Sequence, residues 1–197
     1  MPKIVDHEFQ REVVAEAAWR VIRKYGIEQA SVRKIAEEAG VSAGSVRHYF
    51  TSQSELYAYS MRLVSKRVNE RIRHIRPTGN LMEDILEYLE QILPLNEETR
   101  LEMEVWFAFV AKSMSDSSLE ELRNQVDHDL RRLSELLIAA LIESGSARND
   151  LDRNLEAERF YALIDGLAIH AVLRPEMLSG EKIEAVLTHH LRTLCRP

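Results

Sequence analysis

Apolar residues recur at intervals of three and four along almost the whole chain, and no segment alternates apolar with polar residues between turn signals. A chain patterned this way can bury its apolar faces only by packing helix on helix, so the expected fold is all-α, with about nine helices. Phe9, Val13, Ala17, Val21 and Tyr25 form the stripe of a first helix that Asp6 can cap. Gly26 stands where a left-handed residue would stop it. Ser31 can cap a second helix with Val32, Ile35, Ala36 and Ala39 turned inward, ended by Gly40. Ser42 can cap a third, short helix ending near Tyr49. Ser52 and Glu55 have capping-box spacing for a fourth, from Gln53 to about Ile75, which Pro77 and Gly79 terminate. Further helices are predicted from Asn80 to Leu93, from Glu97 to Met114, from a Ser117 to Glu120 capping box to Gly145, from Leu155 to Leu173, and from a Ser179 cap to Leu194. The organisation this implies is a helix-turn-helix domain over 1–52, a connecting fourth helix over 53–76, and a larger bundle over 77–197.

Composition enters where it excludes. Cys195 is the one cysteine of 197 residues, in a tail expected to fray; no disulfide can form within the chain, and a reducing cytoplasm is the expected setting. The longest apolar run, Leu136 to Ile142, is far short of the roughly 20 residues a bilayer requires. The opening MPKIVDHEFQ has no apolar signal core, so a soluble protein without a membrane is expected. Net charge is −6, but it is divided unevenly. Residues 1–76 hold 14 basic against 9 acidic side chains, and the remainder 12 against 23. A basic first third beside an acidic remainder fits a polyanion partner for the former, although solvated helix faces give the same bias.

The stretch IAEEAGVSAGSVRHYF decides between these two readings. Two short amphipathic runs joined by a glycine turn make a helix-turn-helix, whose second helix enters the DNA major groove. Ile35, Ala36, Ala39, Val41 and Val46 can form its buried seam. Ala43 and Arg47, and likewise Gly44 and His48, lie one turn apart on the outward side. Small residues permit close approach, and the Arg47 guanidinium can fork onto guanine. Phe50 reads as a packing residue.

The run SVRKIAEEAGVSAGSVRHYFTSQSELY, with VVAEAAWRVIRKYG upstream, resembles the DNA-binding segment of the TetR family of bacterial transcriptional regulators. Helix spacing, turn glycine, aromatic pair and the Ser52 cap agree together over about 50 residues. Farther on, LPLNEETRLEMEVWFAFVAKS and YALIDGLAIHAVLRPEMLS are similar to the ligand-binding half of the choline-responsive BetI-like subgroup. The resemblance implies a DNA-contacting set of Arg33, Ser42, Ala43, Gly44, Ser45, Arg47, His48, Tyr49 and Gln53. Tyr49 matches a position that commonly reaches a backbone phosphate. Gln53 replaces the family's frequent lysine, which implies a neutral hydrogen bond at that phosphate. Arg47 stands where many members carry tyrosine, so operator sequence does not transfer.

For the larger half, the resemblance implies a homodimer on a near-palindromic double-stranded operator, released by a small-molecule effector. Leu163, Leu167 and Ala171 on one helix and Ile183, Val186, Leu187 and Leu191 on another supply apolar stripes for the dimer contact. Met103, Trp106, Phe107 and Phe109, with Tyr88, Phe160 and Tyr161, are candidates to line an effector pocket; aromatic faces suit an ammonium ligand. Asp165 and His170, polar on a mostly apolar helix, join that set because an isolated polar group there requires a partner. All of these residues could equally serve the monomer's core. No nucleophile triad, phosphate-binding glycine loop or metal-ligand spacing occurs, so neither catalysis nor a cofactor or metal is expected. The rival reading is a helical protein-interaction module without specific DNA binding, which would show little salt dependence toward DNA.

Overall fold

The computed structural model describes residues 7–196. Nine α-helices account for most of them: α1 (His7–Tyr25), α2 (Val32–Ala39), α3 (Ala43–Tyr49), α4 (Gln53–His74), α5 (Leu81–Glu90), α6 (Glu97–Ser113), α7 (Glu120–Glu143), α8 (Arg153–Leu173) and α9 (Gly180–Leu194). The all-α expectation holds. The chain divides into two compact units, one taking in the described residues up to Arg67 together with Glu104–Arg123, the other Val68–Met103 and Asn124 onward. The division runs through α4 and α6 rather than between elements.

In the first unit, α1, α2 and α3 pack on one another around Val14, Ala17, Ala18, Val21, Ile35, Ala36 and Val46, all buried. Burying side chains the size of Ile35 or Val46 stabilises the unit by about 1.5–3 kcal/mol each. The expected stripe of α1 is corrected here. Phe9 and Tyr25 are exposed at 59% and 41%, while Ala15 and Ala18, which bring neighbouring backbones close, are fully buried. The Asp6 cap lies outside the described residues. Ser31 caps α2, its hydroxyl accepting from the Lys34 amide. Gly26 has the expected positive φ but an extended ψ of 159°, so it redirects the chain without the left-handed helical turn.

Two caps differ from expectation. Glu55 donates its amide to the Ser52 hydroxyl as a capping box requires, but its carboxylate accepts from the amide and hydroxyl of Thr51, each at 2.8 Å. Thr51 offers two donors where the Ser52 backbone offers one. At α7 the cap is Asp116, which accepts from the Ser118 amide and leads through a 3-10 turn, Ser117–Leu119, into the helix.

In the second unit the core gathers Ile85, Leu89, Leu93, Ile138, Leu141, Phe160, Ile164, Leu167, Ala171, Ile183, Leu187 and Leu191. α5 stops at Glu90, short of the expected Leu93, because Pro94 excludes helical geometry at the residue before it. The Gln91 carbonyl freed there accepts from Arg71, whose guanidinium also forks onto the buried Glu102 at 3.0 and 2.6 Å. The segment around Cys195 is held in place. Arg148 donates to the Leu194 carbonyl at 2.9 Å and Arg196 to the Ser146 carbonyl at 2.8 Å, around an antiparallel Ala147–Cys195 pair.

Candidate nucleic-acid interface

The turn between α2 and α3 sets the geometry of the site. Gly40 adopts φ 67°, ψ 28°, left-handed values that cost an L side chain about 1–2 kcal/mol. That conformation lets the Val41 amide reach back to the Ala36 carbonyl at 2.9 Å and the Gly40 amide to Glu37 at 3.2 Å, which satisfies the end of α2. Ser42 then opens α3, its hydroxyl accepting from the Ser45 amide at 3.0 Å and lying 2.9 Å from the Ser45 hydroxyl. Val46 pins α3 from beneath, and Phe50 closes it as a buried residue, as read from the sequence.

What remains outward on α3 is Gly44, Arg47 and His48, all exposed, with Ala43, Ser45 and Tyr49 half-buried. Arg33 is exposed on α2. Among the described residues neither Arg33 nor Arg47 has a hydrogen-bond or ion-pair partner, whereas Arg11, Arg20 and Arg67 of the same unit are all paired with carboxylates. Two free guanidiniums on adjacent short helices leave the local charge positive. Gln53 departs from expectation: its amide donates to the Ala30 carbonyl at 2.6 Å. That side chain ties α4 to the loop before α2, and the free backbone amides at the start of α4 are the remaining donors there.

Behind this surface a polar brace holds α4. Arg11 donates to Glu55 at 3.1 Å and lies over the rings of Phe50 and Tyr59 at 4.8 and 4.5 Å. The Thr51 hydroxyl, then the Thr51 amide and Arg11, hold the Glu55 carboxyl below the usual carboxylate range. Burial pushes the Tyr57 phenol up to about 12, so it stays a donor to the Ile27 carbonyl. One contact has no signal in local sequence: the His7 ring, from the start of α1, lies edge-on to Tyr49 at 5.1 Å and to His48 at 6.0 Å.

Residues 14–59 match the family model of bacterial regulatory proteins, tetR family, and residues 82–196 that of the BetI-type transcriptional repressor, C-terminal. The chain belongs to the TetR family. Among its relatives are the HTH-type transcriptional regulator PksA of Bacillus subtilis, 44% identical over 99% of this chain and 94% of that protein. The HTH-type transcriptional regulator BetI of Escherichia coli O157:H7 is 29% identical over 97% and 94%. A transcriptional regulator of Rhodococcus sp. has a similar solved structure, with TM-score 0.80 and 28% identity, covering 93% of this chain and 95% of that one. The fold is shared with a transcriptional regulator from Saccharomonospora viridis solved in complex with choline, TM-score 0.82 at 22% identity, covering 96% and 100%. The chain is therefore a DNA-binding transcriptional regulator.

The effector candidates of this TetR-family chain are split between the units. In the first, Phe109 is buried and stacks on Trp106 at 6.0 Å, with Phe107 half-buried. In the second, Tyr88 and Met103 are half-buried, and Phe160 is fully buried with its ring stacked on His190 at 5.5 Å. Tyr161 donates to Asp127, and Arg131, itself paired with Glu158, lies over its ring at 4.7 Å. Burial holds the Asp165 carboxyl above its ordinary range, with Asp127 adding to the effect. His170 lies on the exposed side of α8, beside the exposed Ile169. Of the dimer candidates, Leu167, Ala171, Ile183, Leu187 and Leu191 are buried in the chain's own core, and Leu163 and Val186 are half-exposed. Outward on α8 instead are Leu155, Ile169 and Leu173, exposed at 58%, 41% and 69%. Among the described residues no helix is long and apolar enough to cross a membrane.

Proposed function

We propose that this chain is a homodimeric repressor that grips a near-palindromic operator through Arg33, Ser42, Ala43, Gly44, Ser45, Arg47, His48 and Tyr49, and is released when a small molecule binds its second unit. The observation that carries the DNA surface is Gly44. Glycine inside a helix costs up to about 1 kcal/mol relative to alanine. Yet a Cβ built there meets only the Ser42 hydroxyl, at an ordinary 3.5 Å. Among the described residues nothing requires the missing side chain, so the vacancy serves a partner that approaches α3 closely. Beside it, Arg47 supplies a free fork for base edges, and Arg33 and Tyr49 flank it for phosphate or base contact.

Two-fold pairing follows from the operator's own symmetry, with recognition helices spaced by about 34–36 Å or a multiple. For the interface, Leu155, Ala162, Ile169 and Leu173, at spacings of seven, seven and four, with Leu163 beside them, give α8 an outward apolar stripe, and α9 adds Ala185 and Val186. Release requires an effector that binds the state with the wrong half-site spacing more tightly. Choline is the first effector to try, because the second half matches the BetI-type model and the Saccharomonospora viridis neighbour was solved with choline. Within the second unit the half-buried Tyr88 and Met103 are the first side chains to test against it, since Phe160 and Tyr161 already hold partners on their rings and Asp165 is hydrogen-bonded with Tyr161.

Selection of bound fragments from a random DNA library, followed by titration at several salt concentrations, tests the reading. A near-palindromic sequence bound about 10³-fold or more above non-specific DNA supports it. Failure to enrich any such sequence would overturn the near-palindromic operator and the contact set assigned to it.

A further inference from the structure

His7 is remote in sequence from the recognition helix yet touches it. Its ring centroid lies 5.1 Å from that of Tyr49 at 68°, and 6.0 Å from that of His48 at 78°; His48 and Tyr49 are themselves 5.5 Å apart. The three rings form one mutually edge-on cluster. His7 and His48 are exposed and Tyr49 is half-buried, so both imidazoles stand at the solvent-facing rim of the surface read above as DNA-binding. Neither imidazole has a hydrogen-bond partner among the described residues. On the reading proposed above, the Tyr49 ring lies on the DNA-facing side of α3 and can meet a backbone phosphate. A ring about 5 Å from it is within reach of that phosphate or the next, since strand phosphates follow one another every ~3.4 Å of axis.

We propose that His7 is a further DNA-contacting residue, joined with His48 and Tyr49 into a phosphate-binding cluster, so that protonation of the two imidazoles tightens operator binding. The inference rests on the helix-turn-helix surface being the DNA face. The charged and titratable groups of the three elements packed here are Glu8 and Arg11 from α1, Arg47 and Tyr49 from α3, and Glu55 and Tyr59 from α4. Glu8 accepts from the Tyr59 hydroxyl at 2.7 Å, and Arg11 and Glu55 hold each other at 3.1 Å. These four are engaged among themselves, so that among the described residues of these elements Arg47 is the unpaired charge beside the imidazoles. Operator phosphate would bring an opposite charge to them. Pairing with phosphate favours the charged form of an imidazole, so the added affinity is gained as pH falls and lost as pH rises.

The experiment uses the full-length protein and a duplex recovered by selection from a random DNA library, with affinity measured by fluorescence anisotropy at pH 6 and pH 8 across a salt series. The wild type should bind more tightly at pH 6, by up to about tenfold for each imidazole raised by one unit. Its salt slope at pH 6 should be steeper than at pH 8 by about 0.9 for each phosphate gained. His7→Gln and His48→Gln should each remove part of both differences and the double variant all of them, while His128→Gln on α7 keeps them whole. Circular dichroism of each variant establishes that the fold is intact. A duplex bound with the same pH and salt dependence by wild type and double variant overturns the proposal and leaves the DNA face standing. Dependence lost on His48→Gln but kept on His7→Gln overturns the role of His7. Failure to select any duplex overturns the DNA face itself, and the proposal with it.

Discussion

Arg47 carries its charge unpaired at the outward side of a helix of seven residues. Replacing it by Ala is expected to weaken binding to the selected operator by about 1–3 kcal/mol while leaving non-specific DNA nearly unaffected, if it forks onto one base. Equal losses on both, measured in parallel titrations, would assign it to phosphate. Gly44→Ala separates stability from function in the opposite sense. The protein should unfold at an equal or higher temperature, since the helix gains propensity and the Cβ meets only Ser42 at 3.5 Å, yet operator affinity should fall. An unchanged affinity would remove the close approach. The Ser42 cap and the outward placement of Gly44 and Arg47 were legible from the sequence because they follow from local spacing. His7 and Gln53 were not: the first acquires its neighbours, and the second its Ala30 carbonyl, only when α1 and α4 fold against the short helices.

Helices were legible from their caps and their periodicity, and the errors came where a helix has two apolar sides. On α1 the eye follows large residues, but Phe9 and Tyr25 stand in solvent while Ala15, Ala17 and Ala18 make the closest packing. On α8 Phe160, Ile164, Leu167 and Ala171 face inward and Leu155, Ile169 and Leu173 outward; sequence alone gives no reason to prefer either stripe as the core. The turn between α3 and α4 is where an element's stability depends on one carboxylate. Glu55 takes both donors of Thr51 and the guanidinium of Arg11. Because its folded pKa is depressed, this contribution is present at neutral pH and disappears as pH falls through the lowered folded value. Urea midpoints at pH 7 and pH 4 should therefore fall less between the two for Glu55→Gln than for the wild type. Loss of the hydroxyl cap in Ser42→Ala is expected to lower stability by about 0.5–2 kcal/mol. A change confined to DNA binding would show that Ser42 acts outside the fold.

For the whole molecule the undecided surface is the outward stripe of α8. Ile169→Glu and Leu173→Glu each place a charge on a face the fold itself does not cover, so the monomer should remain folded while sedimentation shows loss of the dimer. Unfolding of the monomer instead would mean that the stripe is internal to its stability. The division of the molecule into two units, one with free basic side chains and one with the stripe, was foreshadowed by the charge asymmetry, though its boundary inside α4 and α6 was not. A chain that covered these outward aliphatic side chains only on meeting its own copy would have a stability written partly in units of concentration. Its melting temperature would rise with the logarithm of the amount present, as mass action requires. Where copies are scarce and only the pair binds, operator occupancy would follow the square of the chain's abundance, and small changes in synthesis or dilution at cell division would be felt at the promoter before any effector arrives.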